Sequence, residues 1–337
     1  MLCGKDLIIA TKPFAKEIRS KSWFHLWITI ALLGLSFAGI IFIPFAIIRI
    51  ALSIVASLLM VRMFIIYHDH QHHSILQKSA VAEVVMTLFG LYILAPTSIW
   101  KRSHDHHHKH NSKLFSASIG SYPIATKSKF LKMSGLERFG YLAIRHPLTI
   151  GFGYFTMFIT GMCISAFVSS PRKHADALLA LVLHIAASVC IFIYTDWFTW
   201  FLLFFLPFLL AFALGAYLFY AQHNFPGVTF CSNEDWAYDK AALESSSYMT
   251  MNPVMAWFTG NIGYHHIHHL NARIPFYRLP EVMSHFPELQ TAKTTSLSIK
   301  DICACFRLKI WDQETATMIG LRDIKRAPKK QVKVALQ

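Results

Sequence analysis

The sequence predicts an all-α, polytopic membrane protein with about four transmembrane helices, further re-entrant or interfacial helices, and a histidine-rich cap on the cytoplasmic side. Three observations predict it. Hydrophobic residues make up 54% of the 337-residue chain and charged residues only 15%, whereas a soluble domain carries about 25% charge. The apolar residues fall in long uninterrupted blocks. The histidines, nineteen in all, cluster in the polar stretches between those blocks. Too little polar surface remains to cover a water-facing globule, and the composition also excludes a disordered chain, a collagen-like repeat and a disulfide scaffold. The six cysteines are scattered without a CxxC pair, which reads as unpaired bystander thiols.

Residues 24–66 are almost continuously apolar. A spanning helix needs about 20 residues, so this run is expected to be a hairpin of two spans turning near Pro44. Its length also argues against a cleavable signal peptide. Residues 81–99 form a weaker block interrupted by Glu83, Gly90 and Pro96. Three more blocks follow at 148–168, 175–194 and 198–221, the last containing Pro207. In lipid such segments are helical, because an unpaired backbone group costs several kcal/mol.

Net charge is +14. In a membrane protein this reflects the enrichment of Lys and Arg on the cytoplasmic side and gives no reason to expect a nucleic-acid partner. Basic residues crowd the N-terminus, the region 98–147 and the tail after 222, whereas the loop at 169–176 holds only Arg172 and Lys173 and is expected on the opposite face. If every apolar block crossed, these basic regions would fall on different sides. The block 81–99 is therefore expected to be re-entrant or interfacial, and one of the last three blocks non-spanning, leaving four spans. The expected organisation is a basic N-terminus (1–23), a membrane domain (24–285) and a basic C-terminal tail (286–337).

Fourteen of the histidines lie in four clusters, each on the predicted cytoplasmic side: His68-Asp-His-Gln-His72-His73, His104-Asp-His-His107-His108-Lys-His, the isolated His223, and His265-His-Ile-His268-His269. His68 and His72 stand four residues apart. His104, His107 and His108 are spaced i, i+3, i+4, as are His265, His268 and His269. On a helix such residues share a face, so each cluster is expected to point its imidazoles at a common point. Neutral imidazole binds iron, zinc, copper and nickel. Two octahedral ions offer about twelve positions, which ten histidines and bridging oxygen nearly fill. His70, His106, His110 and His266 break the spacing and are expected to face elsewhere. Asp69, Asp105 and Asn224 adjoin the clusters and are candidates to orient imidazole N–H groups.

HDHQHH, HDHHH and HHIHH resemble the HX3HH, HX2HH and HX2HH boxes of the integral-membrane fatty acid desaturases. The similarity extends to Trp100-Lys-Arg-Ser-His104, Tyr220-Ala-Gln-His-Asn, Ser246-Ser-Tyr248, the run from Trp257 through Thr-Gly-Asn-Ile-Gly-Tyr to His265, and Arg273-Ile-Pro275. It covers roughly residues 40–285 and is nearest the bacterial acyl-lipid branch. Animal acyl-CoA desaturases have asparagine one helical turn before the isolated histidine; this chain has Phe219, which disfavours that branch.

The resemblance implies two iron ions held by His68, His72, His73, His104, His107, His108, His223, His265, His268 and His269. It also implies O2 as co-substrate and removal of two vicinal hydrogens from the acyl chain of a membrane lipid or related acyl substrate, in a bacterial inner membrane. The chain has no HPGG haem signature, ferredoxin cysteine spacing or dinucleotide-binding glycine loop. An external ferredoxin or cytochrome b5-like electron donor is therefore implied. A hydroxylase, or a carotenoid or sphingolipid oxidase of the same superfamily, is the nearest alternative. A metal transporter is more remote, because transporters bind their ions near the bilayer midplane, and the spans hold almost no ionisable groups beyond Arg49, Arg62 and His184, which form no matched set.

Overall fold

A computed structural model describes residues 2–114, 120–232 and 234–324; the last part of the predicted basic tail, 325–337, lies outside them. Among the described residues, four helices are long and apolar enough to cross a bilayer: Arg19–Phe42, Ala46–Gln71, Ala175–Tyr194 and Trp197–Ala221. At about 1.5 Å per residue, even a helix of about 20 residues covers the hydrocarbon core. Phe24, Leu35, Phe42, Ile47, Ile185 and Ile193 are exposed along these helices, as suits a surface that faces lipid.

The spans form two hairpins. The first turns at residues 43–45, where Pro44 lacks the amide proton that a continuing helix would need. The second turns at residues 195–196, and the Asp196 carboxylate accepts from the amides of Phe198 (3.0 Å) and Thr199 (3.1 Å), capping the fourth span. Both turns lie at one end of the molecule. The Arg49 guanidinium bonds the Ile40 carbonyl and the Thr199 hydroxyl across them, and the Ser53 hydroxyl donates to the Leu202 carbonyl at 2.8 Å. The second and fourth spans therefore both run toward the opposite end, where His68 and His223 sit.

The remaining two apolar blocks do not cross. Helix Ala80–Tyr92 is followed by helix Thr97–His110 at a bend of 91°. Pro96 forces Ala95 out of the helical region, and Leu94 adopts φ +54°, so the helix cannot continue. The Tyr67 hydroxyl donates to the Ala95 carbonyl at 2.9 Å and fixes the break against the second span. Of the last three blocks, the non-spanning one is 148–168. It forms the short helix Tyr154–Ser169, wound in wide π turns as far as Ser165. Its Thr156 hydroxyl reaches back to the Thr149 carbonyl at 2.8 Å, and the Cys163 thiol meets the Leu94 carbonyl at the bend.

This arrangement corrects the expectation for the loop at 169–176. The third and fourth spans are joined by only two residues and are antiparallel, so the start of the third lies at the histidine end. There the Ser98 hydroxyl and amide donate to the Asp176 carboxylate at 2.5 and 3.1 Å. Sparse positive charge misplaced a loop held by a short-range contact that no charge count registers.

At that end short strands tie later residues to earlier ones. Ala125–Thr126 pairs parallel with Ile310–Asp312, which pairs antiparallel with Thr317–Ile319, and Tyr248–Thr250 pairs parallel with Thr294–Ser296. The buried core beneath includes Leu26, Met60, Tyr67, Phe208, Tyr220, Phe225 and Phe276.

The two-hairpin topology makes a direct prediction. In a variant cleared of native cysteines, Ser170→Cys and Ser232→Cys will react with an impermeant maleimide from the same side of sealed vesicles. Phe45→Cys and Thr195→Cys will react only from the other side. Labelling of 170 and 232 from opposite sides would reject the arrangement.

Candidate metal centre

Four elements carry the histidines to one place. The second span ends at Gln71, with His68 in its last turn and His72 as its C-cap. His104, His107 and His108 lie on helix Thr97–His110. His223 follows the fourth span directly, and helix His265–Leu270 carries His265, His268 and His269. Two glycines let this last helix close on its neighbours. Gly260 has φ +51°, and a Cβ there would fall 2.8 Å from Ile65; a Cβ on Gly263 would fall 2.4 Å from the Met249 carbonyl oxygen.

Nine of the ten expected histidines converge, in two adjacent groups. The first is His68, His72, His104, His108 and His268; the second is His107, His223, His265 and His269. Within each, the potential ligand atoms all lie within 4.8 Å of one another. In the first group Nε2 of His104 is 2.9 Å from that of His68 and 3.1 Å from that of His108, which is 3.1 Å from that of His268. In the second, Nε2 of His107 is 3.0 Å from that of His223 and 3.2 Å from that of His269, and Nε2 of His265 is 2.9 Å from that of His223. The groups share a wall, where the His108 and His269 rings stack with centroids 4.3 Å apart.

The clusters do not each serve one point, as the spacing suggested. His104 and His108 face the first group while His107 faces the second, and His268 faces the first while His265 and His269 face the second. Residues i and i+4 stay together and the residue at i+3 turns to the neighbouring group, so each of these helices lies between the two.

The donor set fits metal ions. With imidazole–metal bonds of about 2.0–2.1 Å, two ligands at right angles on one ion stand about 2.9–3.0 Å apart, which is the spacing of these nitrogens. Asp69 Oδ1 accepts from His68 Nδ1 at 3.1 Å, and the Ser245 carbonyl accepts from His223 Nδ1 at 2.9 Å. Each of these imidazoles therefore has its proton on Nδ1 and presents a bare lone pair at Nε2. His72 Nε2 is buried with no hydrogen-bond partner. Burial lowers the His223 pKa to about 4, partly opposed by the Ser245 carbonyl. Burial first, and neighbouring imidazoles second, push His265, His268 and His269 well below the ordinary value. All four are therefore neutral at pH 7, the form that binds metal.

Supporting contacts separate the three candidate orienting residues. Asp69 holds His68 and also accepts the Phe276 amide at 2.7 Å, which fixes its carboxylate. Asp105 instead pairs with Lys101 at 3.3 Å, and Asn224 bonds Arg145 and the carbonyls of Cys305 and Leu308. Ser121, which the sequence did not single out, bonds His107 Nδ1 at 2.8 Å. His73, expected as a tenth ligand, lies outside both groups. The helix has ended at Gln71, His73 adopts φ +57°, and its side chain is exposed. His70, His106, His110 and His266 also lie outside both groups; His266 donates to the Leu289 carbonyl at 3.2 Å.

An apolar cavity of about 130 Å³ opens beside the histidines. His68, His104 and His265 form part of its wall, and Met157, Phe158, Met162 and Phe212 line it further away. The wide-turn helix Tyr154–Ser169 supplies three of these four. Lining residues could not be chosen from sequence among 28 phenylalanines and 12 methionines, because hydropathy does not distinguish lipid-facing from cavity-facing side chains.

A family model described as Fatty acid desaturase matches residues 44–295. The chain is 30% identical over 288 residues to a protein named fatty acid desaturase from Bacillus subtilis (strain 168), covering 83% of this chain and 79% of that relative. It is 25% identical over 277 residues to an sn-1 oleoyl-lipid 12-desaturase of Synechocystis sp. (81% and 78%). It is 23% identical over 279 residues to an sn-1 acyl-lipid omega-3 desaturase (ferredoxin) of Nostoc sp. (77% and 73%).

Asp69→Asn leaves the His68 tautomer unfixed and lowers metal affinity by about 10–100-fold, whereas His73→Ala leaves metal content unchanged; chelator titration followed by elemental analysis measures both. The pH dependence has a definite sign. The His223 pKa falls from 6.5 unfolded to about 4 folded, so the unfolded chain binds a proton that the folded chain refuses. Metal-free protein in detergent therefore loses thermal stability as pH falls below about 6.5 toward 4. A melting temperature that is unchanged or higher at pH 5 than at pH 7.5 would contradict the burial of these imidazoles.

Proposed function

The chain belongs to the fatty acid desaturase family, and we propose that it introduces a double bond into the acyl chains of membrane lipid at a centre of two iron ions, using O2. The observation that carries this reading is the pair of adjacent all-histidine groups set against an apolar cavity. An unactivated methylene C–H bond is beyond acid–base chemistry, and iron with O2 and electrons supplies the oxidant when bound. The protein's part is to hold and position. His68, His72, His104, His108 and His268 would hold one ion, and His107, His223, His265 and His269 the other. Asp69 and Ser121 fix ring orientation. Trp100, stacked on His104 at 4.6 Å, shields that ligand from water. The cavity aligns an acyl chain beside His68, His104 and His265.

Two relatives are named for acyl-lipid substrates, which supports a complex lipid over a soluble carrier here. One is named as ferredoxin-dependent, and a ferredoxin is the donor we propose, docking at the histidine end. The basic residues of the histidine-bearing segments favour a cytoplasmic orientation in a bacterial inner membrane and would attract an acidic carrier.

Expression in a host with simple lipids, followed by mass analysis of its fatty acids, tests the reading. A product lighter by two hydrogens is expected. A product heavier by one oxygen would mean that the enzyme hydroxylates. His107→Ala and His268→Ala will abolish product while the protein remains inserted, and His285→Ala will leave product formation within about twofold of wild type. Equal loss in all three would show that the convergent histidines are not special.

A further inference from the structure

Behind His107 and His223 lies a second, more polar pocket. Its wall includes Lys113, Tyr122 and Arg145, with no Asp or Glu among its lining residues, and Phe219 lines both this pocket and the apolar cavity. The Phe219 ring thus borders both a space suited to hydrocarbon and a space with basic groups in its wall.

Arg145 is 0% exposed. Its Nη1 donates to the Pro123 carbonyl at 2.9 Å and its Nη2 to Asn224 Oδ1 at 2.7 Å, while its Nε is buried with no hydrogen-bond partner. The rings of Tyr220 and Tyr141 lie 5.2 and 5.8 Å from the guanidinium carbon. None of these neighbours carries negative charge, and among the described residues no carboxylate pairs with Arg145. A second cation deepens the imbalance. The Lys309 ammonium donates to the Arg145 carbonyl at 2.5 Å, and burial, together with the charge of Arg145, lowers its pKa to about 8. In the pocket wall the Lys113 ammonium rests on the Trp236 ring, 4.2 Å from its centroid. A buried guanidinium without a counter-ion is strongly disfavoured, and a planar donor fork is well matched to phosphate oxygens.

We propose that this pocket seats the phosphate of the substrate lipid's headgroup, with Arg145 and Lys113 as counter-charges and the Tyr122 hydroxyl as a neutral donor. An acyl chain of the same molecule passes beside Phe219 into the apolar cavity. This rests on the reading of the protein as an acyl-lipid enzyme. A molecule with phosphate at one end and hydrocarbon at the other matches both sides of Phe219, whereas a free phosphate ion would use only one.

The test compares lipids that differ only in the anion. Iron-loaded wild type, Arg145→Gln and Lys113→Gln, in neutral detergent, are offered equal amounts of dipalmitoyl phosphatidylglycerol and dipalmitoylglycerol, and bound lipid is counted by native mass spectrometry. Inorganic phosphate binding is measured separately by equilibrium dialysis. Wild type will retain the phospholipid over the neutral lipid by about tenfold or more. Both variants will lose about tenfold of that preference with diacylglycerol retention unchanged. Because Arg145 is buried and Arg145→Gln can fail to fold, Lys113→Gln alone decides in that event. Equal retention of the two lipids by wild type would overturn the proposal, as would full preference in Lys113→Gln. Binding of inorganic phosphate without lipid preference would assign the pocket to a soluble anion and overturn it too. Lipid retention is read without turnover, so an active desaturase that ignores the phosphate sinks this proposal alone. A protein that selects phospholipid but forms no double bond sinks the functional reading instead.

Discussion

Eight of the nine convergent imidazoles place Nε2 within 2.9–3.2 Å of another ring's Nε2, and the ninth, His72, has its Nε2 buried without a hydrogen-bond partner. A neutral imidazole has one donor and one acceptor nitrogen. Where the proton is committed outward, from His68 to Asp69 and from His223 to the Ser245 carbonyl, a lone pair faces inward toward the other rings of its group. Lone pairs gathered in this way suit an electrophile, and metal ions are electrophiles that imidazole binds well. The fold serves this requirement. The two hairpins bring His68 and His223 to one end, the sharp break at Pro96 returns His104–His108 to that same end, and Gly260 and Gly263 let the His265 helix approach closely enough to complete both groups.

The same constraint explains what could be read from sequence and what could not. Four spans and the need for a non-crossing segment at 81–99 were legible, because bilayer thickness fixes helix length and the histidine clusters must meet on one side. The identity of the second non-crossing segment was not. Residues 148–168 are as apolar as a true span, and what turns the helix back is local: its wide turns, the Thr156–Thr149 bond and the contact of Cys163 with Leu94 at the bend. The loop at 169–176 was misplaced with it.

At the site, spacing identified which histidines are candidates but could not apportion them. That His107 serves a different group from His104 and His108 depends on the helix lying between two groups, a tertiary fact. His73 differs from its neighbours only because the helix stops at Gln71, and nothing in a run of histidines announces that stop. Asn224 adjoins a site histidine in sequence yet bonds Arg145, whereas Ser121, well away in sequence, bonds His107. Adjacency along the chain is a poor guide to second partners, because they are set by the direction in which a ring nitrogen points.

On the proposed reading, metal-binding chemistry sits beside an apolar cavity and a basic pocket that both border Phe219, and the nine histidines form two ion-binding groups and not one. Elemental analysis and Mössbauer spectroscopy of protein purified anaerobically after growth on 57Fe address this most directly. Two irons per chain in nitrogen-rich environments are the expected result. One tightly bound zinc per chain with no iron would contradict it.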